Sequence, residues 1–101
     1  MNEELDRICC EFAGLTPSFW TPIGMMMERT EEPQWPPVSS EWSAAGALMN
    51  ALEAKWIPAR IKCTGGYGMW VAKVGPGKGV QANSGPMALA LAVRRVAELG
   101  R

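Results

Sequence analysis

The spacing of the hydrophobic residues changes along this chain, and the change constrains the fold more than any other feature. In residues 2–13, 40–56 and 85–99 they recur every three or four positions, as on one face of an amphipathic α-helix. Between residues 57 and 83 they alternate with polar residues, as in half-buried β-strands. A chain of 101 residues forms one domain around a single core, so residues 1–101 are predicted to fold as a unit.

Two turn signals divide the alternating segment into three predicted strands. Thr64-Gly65-Gly66 and Gly75-Pro76-Gly77 are typical of chain reversals. Reversals this short connect antiparallel neighbours. The first predicted strand begins at Ile57, the second runs from Tyr67 to Val74, and the third runs from Lys78 to Asn83. The fold class is therefore predicted to be α+β, with a three-stranded antiparallel β-meander packed with three α-helices, in the order α-loop-α-β-β-β-α.

Three parts are expected within the domain: an N-terminal helix at 1–14, an arm at 15–38 and an αβββα core at 39–101. The arm contains five prolines, which exclude a continuous helix, and it is also rich in Trp and Met. A connection of this length without regular structure is typical of a lid, a binding loop or an interface arm. The sequence leaves open whether the arm wraps its own core or meets a partner.

In the second helix, Trp42 and Trp56 are expected in the buried stripe.

Charge is sorted by position along the chain. Residues 1–53 hold nine acidic and two basic side chains, a net charge of −7, whereas residues 54–101 hold eight basic and one acidic, a net charge of +7. The basic half favours an anionic ligand, and the complementary halves favour association with a second copy. We therefore expect a homo-oligomer.

Several function classes are disfavoured by what the sequence lacks. There is no histidine, which removes Ser-His-Asp and Cys-His catalysis, and the three cysteines are badly spaced for zinc. No cofactor or metal is predicted, and no catalytic residue is assigned; an enzyme that uses Glu or Lys acid–base chemistry is the third-ranked hypothesis. The chain has no apolar run long enough for a membrane span and no signal-peptide pattern. We therefore expect a cytoplasmic protein that does not bind membranes.

The strongest candidate site is a basic, aromatic surface on the predicted meander. Cations suit phosphate and an aromatic face suits a base, which is the chemistry of nucleotide recognition. The alternative is that these residues form the solvated face of a half-buried sheet. A weaker candidate is the start of the third helix at Ser84, where free N–H groups favour anions. The glycine turns beside Tyr67 and Lys78 are explained by chain reversal alone. The predicted ligand-binding residues are Arg60, Lys62, Lys73, Lys78, Arg94, Trp70, Trp35, Tyr67 and Ser84.

Three short segments carry a resemblance to a known family. They are the stretch from Trp35 to Ala45, which begins Trp-Pro-Pro-Val, the segment Trp70-Val71-Ala72, and the run from Gly85 to Ala92. Together with the opening helix from Leu5 to Leu15, they resemble the phage ABA sandwich domain, a family of small bacteriophage proteins. The resemblance implies a phage origin and an α+β fold, and it brings no catalytic residue set.

Residues 40–99 also follow the predicted α-β-β-β-α order of a double-stranded-RNA-binding domain. The basic cluster that opens the last helix of that family is absent here, because Met87-Ala88-Leu89 stands in its place. RNA affinity depends on phosphate contacts, so nucleic acid is a disfavoured partner.

The leading hypothesis is a non-catalytic phage protein acting in the cytoplasm of the infected bacterial host. It would sequester an anionic nucleotide signal of antiphage defence, of the cyclic nucleotide or cyclic ADP-ribose type. The alternative is a module that binds a host or phage protein through the Trp20–Trp35 arm.

Overall fold

The computed structural model describes residues 3–23, 25–64, 69–76 and 78–99, and these form an α+β fold, which confirms the predicted class. Within these residues there are three helices, a two-stranded sheet and a three-stranded sheet, both antiparallel. The elements in chain order are α1 (Glu3–Ala13), β1 (Ser18–Ile23), β2 (Met26–Gln34), α2 (Trp42–Ala54), β3 (Ala59–Cys63), β4 (Trp70–Val74), β5 (Val80–Ala82) and α3 (Gly85–Leu99). None of these helices has the length and apolar character needed to cross a bilayer.

The meander β3-β4-β5 forms as expected, with shorter strands than the sequence pattern suggested. Its alternation is also confirmed: Trp70, Ala72 and Val74 point to one face, and Lys73 is exposed on the other. The predicted beginning of the second strand at Tyr67 lies outside the described residues. The pairing register, which the sequence left open, places Arg60 opposite Lys73.

The arm at 15–38 differs from the prediction of a segment without regular structure. Strands β1 and β2 pair with each other as an antiparallel hairpin, with an irregularity between Ser18 and Trp20. The prolines do exclude a helix, but Pro22 and Pro33 are compatible with this ribbon. Each strand of a two-stranded ribbon has a free edge, where the missing N–H of proline removes no ladder hydrogen bond. Neither strand packs extensively against a helix or the other sheet.

Helix α3 is the centre of the core. It lies on one face of the meander, where it contacts all three strands, and it also packs against α1 and α2. Its fully buried side chains include Leu89 and Val93. Several of its other buried residues are alanines, which allow neighbouring elements to approach closely. The opposite face of the meander carries exposed side chains.

A buried carboxylate joins α1 to the turn before α2. Asp6 lies in the first turn of α1 and is buried. Its Oδ1 accepts a hydrogen bond of 2.9 Å from the backbone N–H of Ser39. Burial of this carboxylate is tolerated because it holds a partner. The N-cap of α2 is Glu41, which makes no side-chain capping bond.

Trp42 lies against the start of α3 instead of in the buried stripe of α2. A Cβ added at Gly85 would come within 2.1 Å of Trp42 Cη2, so glycine is required for this close approach. The Trp42 ring also meets Trp70 edge-on, with centroids 5.1 Å apart and an interplanar angle of 64°. Such pairs stabilise a fold by about 0.5–1.5 kcal/mol beyond area burial. The remaining surface of Trp42 is exposed to solvent.

Candidate functional site

Three of the predicted cations share the open face of the meander. Arg60 and Lys62 alternate along β3 on the face opposite α3, and Lys73 lies on the same face of β4. The register places Arg60 directly across from Lys73, at a separation of about 5 Å between Cβ atoms. Like charges facing each other across two strands destabilise a sheet. The arrangement thus has a stability cost that a bound anion would remove.

A concavity forms beside Arg60 and Lys73, at the end of the meander where β3 begins and β4 ends. It has a volume of about 290 Å³ and is lined by Pro58, Arg60, Lys73 and Gly75. The backbone N–H of Gly75 donates a 2.7 Å hydrogen bond to the carbonyl of Pro58, which closes this end of the sheet. Among the described residues, no carboxylate forms a salt bridge with Arg60, Lys62 or Lys73. Their charge is therefore available to a ligand.

Trp70, the predicted stacking residue, lies on the opposite face of the sheet. It pairs with Cys63 in the register and points with Ala72 toward the helices. Its ring packs against Trp42 and against the hydrophobic core. The structure therefore separates Trp70 from Arg60 and Lys62, and its visible role is packing. A shift of one residue in register would have placed it on the basic face.

Trp35, the second predicted stacking residue, lies in an acidic part of the molecule. It follows β2 and lines a cavity of about 260 Å³ together with Glu3, Asp6 and Glu32. Carboxylates repel a phosphate group, so this environment does not suit an anionic ligand. Trp35 also packs against the core.

Arg94 is separated from the other predicted cations by α3 itself. It lines a concavity between α1 and α3 that also contains Glu4 and Glu98. Its Nε lies 3.9 Å from Glu98 Oε1, in an exposed ion pair one helical turn away. Such a pair weakens the attraction of Arg94 for an external anion. Arg94 is therefore not part of the concavity beside Arg60.

Two of the remaining predicted residues, Ser84 and Lys78, are not among those that line the concavity beside Arg60 and Lys73. The Ser84 hydroxyl accepts a 3.2 Å hydrogen bond from the Met87 N–H and so caps α3. The start of this helix is further covered by Trp42. Lys78 is exposed in the connection between β4 and β5. Tyr67 lies outside the described residues.

A larger concavity, with a volume of about 570 Å³, lies between α1 and α3. Its charged lining comprises Glu4, Glu11 and Glu98 against Arg7 alone. Arg7 is already engaged, because its guanidinium lies 3.8 Å from Glu4 and 3.1 Å from Glu11. Net negative lining disfavours an anion, so charge favours the smaller concavity beside Arg60 over this larger one.

The cysteines do not form a reactive site. Burial, the largest cause, raises the pKa of both Cys9 and Cys10 to about 12, so both thiols are protonated at neutral pH. The Cys9 thiol also donates to the carbonyl of Ala90, at 3.1 Å. Since the thiolate is the nucleophile, these two residues are inert packing groups. Cys63 is exposed at the end of β3.

Trp56 was expected in the buried stripe of the second helix and was not predicted as a site residue, but it lies outside α2 and is 93% exposed. It lies beyond the end of α2 and lines an apolar concavity of about 250 Å³ with Glu53, Ile57 and Pro58. Pro58 is shared with the basic concavity, so the two adjoin. The signal in the sequence was Pro58, which disfavours helix just before itself and so ends α2 ahead of Trp56.

Comparison of the chain with known proteins finds no matching family model, no matching curated sequence and no matching solved structure. The function is therefore inferred from the chemistry of the site itself.

Proposed function

We propose that this protein binds an anionic small molecule, a nucleotide, on the open face of the meander. The observation that carries the proposal is the cross-strand placement of Arg60 against Lys73, with Lys62 on the same face. These three cations have no salt-bridge partner among the described residues. A phosphate between Arg60 and Lys73 would replace their mutual repulsion with two attractive contacts.

Guanidinium and ammonium groups contribute differently to such a site. Arg60 offers a planar fork that matches two phosphate oxygens, whereas Lys73 acts as a compact charge. Because the concavity is open to solvent, each contact is screened, and useful affinity requires more than one charged group on the ligand. A diphosphate or a cyclic dinucleotide meets this requirement better than a single phosphate.

The biological setting of this proposal comes from the sequence resemblance to the phage ABA sandwich domain. In that setting the protein acts in the cytoplasm of the infected bacterial host. It sequesters a nucleotide signal of antiphage defence without altering it, and cyclic dinucleotides and cyclic ADP-ribose variants are the ligand classes we favour.

A ligand panel tests this proposal. The purified protein is incubated with ADP, cyclic di-AMP, cyclic ADP-ribose and inorganic pyrophosphate, and its melting temperature is measured with each. We expect at least one nucleotide to raise the melting temperature, because a ligand that binds only the folded state stabilises it. Heat denaturation should then release that nucleotide unchanged. Release of an altered nucleotide would instead indicate an enzyme, and no shift with any compound would contradict nucleotide binding.

A second candidate function is protein binding through the hairpin β1–β2. Phe19 and Trp20 remain 44% and 53% exposed, and the three methionines that join or begin the strands are more exposed still. An isolated two-stranded hairpin is only marginally stable in water, and an apolar surface of this kind is typical of an interface. In this reading the arm binds a host or phage protein, and the cations of the meander are a solvated face.

We also propose that the protein self-associates through its separated charges. The hairpin carries Glu28, Glu31 and Glu32 against Arg29, whereas the described charged side chains on the open face of the meander are all cationic. Charge attraction between copies is screened by salt. We expect size-exclusion chromatography to give an oligomer at low salt and a smaller species at high salt. A monomer under both conditions would contradict this assembly.

A further inference from the structure

Trp56 has a backbone conformation that its own side chain disfavours. Its φ is 62°, and it is the sole non-glycine residue with positive φ in the described part of the chain. The N–H of Trp56 bonds the carbonyl of Glu53 and the N–H of Ile57 bonds that of Leu52, which is the Schellman pattern of a helix end. Glycine is the usual residue at this position because a side chain there is strained.

Packing does not explain a tryptophan at this position. The residue is 93% exposed, so its indole contributes almost nothing to the hydrophobic core. A strained residue that the fold does not use for packing points to a function for its side chain. The left-handed conformation turns the chain directly into Ile57 and Pro58, which lead to β3.

The position of the Trp56 indole indicates what that function is. Pro58 lines both the apolar concavity that contains Trp56 and the basic concavity that contains Arg60 and Lys73. Glu53 lines the apolar concavity, and its negative charge disfavours phosphate there. The same carboxylate can accept hydrogen bonds from a ribose hydroxyl or a base amino group. The two concavities together favour a ligand that is anionic at one end and flat, with hydrogen-bond donors, at the other.

We infer that Trp56 stacks the base of a nucleotide whose phosphate lies between Arg60 and Lys73. This inference rests on the proposed nucleotide binding and names the residue that recognises the base, in place of Trp70 and Trp35. Stacking on an aromatic face is tolerant of base identity, so Trp56 contributes affinity for nucleotides as a class. Glu53 then accepts hydrogen bonds from the nucleoside part of the ligand, which lies in the apolar concavity beside Trp56.

The substitution Trp56→Gly separates a ligand role from a structural one. Glycine adopts a φ of 62° without strain, so we expect a melting temperature equal to or above that of the unmodified protein. We expect the affinity for ADP, cyclic di-AMP or cyclic ADP-ribose, whichever the unmodified protein binds, to fall about tenfold. Affinity for inorganic pyrophosphate, which has no base, should be unchanged. Isothermal titration calorimetry measures both affinities.

Two further variants make the outcome specific. Trp56→Phe keeps an aromatic face and should recover most of the nucleotide affinity, whereas Trp20→Gly removes another exposed tryptophan and should leave it unchanged. If Trp56→Gly binds nucleotides as tightly as the unmodified protein, the stacking role is wrong while nucleotide binding stands. If the unmodified protein binds neither nucleotides nor pyrophosphate, the proposed function itself fails.

Discussion

Reversing the charge at Arg60 and Lys62 is expected to weaken nucleotide binding by about 100-fold, equivalent to about 2.8 kcal/mol. Both residues lie on the open face of the meander, so the double substitution to Glu replaces two attractive groups with two that repel phosphate. The fold should tolerate the change. A Glu at position 60 faces Lys73, which turns a like-charge cross-strand pair into an opposite-charge pair. Calorimetric titration with the nucleotide that binds the unmodified protein measures the loss.

The double substitution Arg29→Glu and Arg95→Glu is the matched control. It changes the net charge by the same amount, but both residues are exposed and lie outside the meander, on β2 and α3. We expect it to lower affinity only slightly, through the long-range field, and less at higher salt. Equal losses in both double variants would mean that net charge, rather than a site at Arg60, governs binding. Unchanged affinity in Arg60→Glu/Lys62→Glu would remove these residues from the site.

Shortening Leu89 to alanine is expected to lower the free energy of unfolding by about 3 kcal/mol. Leu89 is fully buried on α3, the helix that contacts the three strands of the meander and the other two helices. Its truncation removes apolar burial and leaves a cavity that these elements cannot all close. Domains of this size are stable by about 5–15 kcal/mol, so the loss is a large part of the total. Urea or thermal unfolding measures it, the latter as a fall in melting temperature of about 15 °C.

Leu99→Ala provides the control for this prediction. It is the same chemical change on the same helix, but Leu99 is 74% exposed near the helix end. We expect a change in unfolding free energy within about 0.5 kcal/mol. A similar loss in the two variants would contradict the prediction that cavity formation at the centre of the core sets the cost, since alanine is the better helix former at both positions.

The helices and the meander could be predicted from the sequence because their signals are local. The three- and four-residue spacing around Leu89 and the alternation around Arg60 each depend on neighbours within a few residues. The pairing of β1 with β2 was missed because the prolines were interpreted as excluding a helix and no strand was then assigned to the arm. They exclude helix, but a ribbon with two free edges accommodates them at Pro22 and Pro33.

The grouping of the cations was predicted in part. Arg60 and Lys62 share one strand face because of the alternation, and the register places Lys73 on the same face. Trp70 was grouped with them because it lies on the meander and the register was open, and Trp35 and Arg94 because of their residue type; the fold places each on a different surface. The sequence alone does not show whether side chains from different helices, strands or loops lie on the same face of the fold.

The sequence by itself determined where the three helices and the strands of the meander form, and that eight of the ten basic residues belong to the second half of the chain, since period and charge are local properties. The tertiary structure alone decided that Arg60 faces Lys73, that Trp70 packs beneath the sheet and that Trp56 is exposed beside Pro58. Register and the exposure of a side chain depend on contacts between segments distant in sequence. Such contacts are selected by the packing of the whole core around α3.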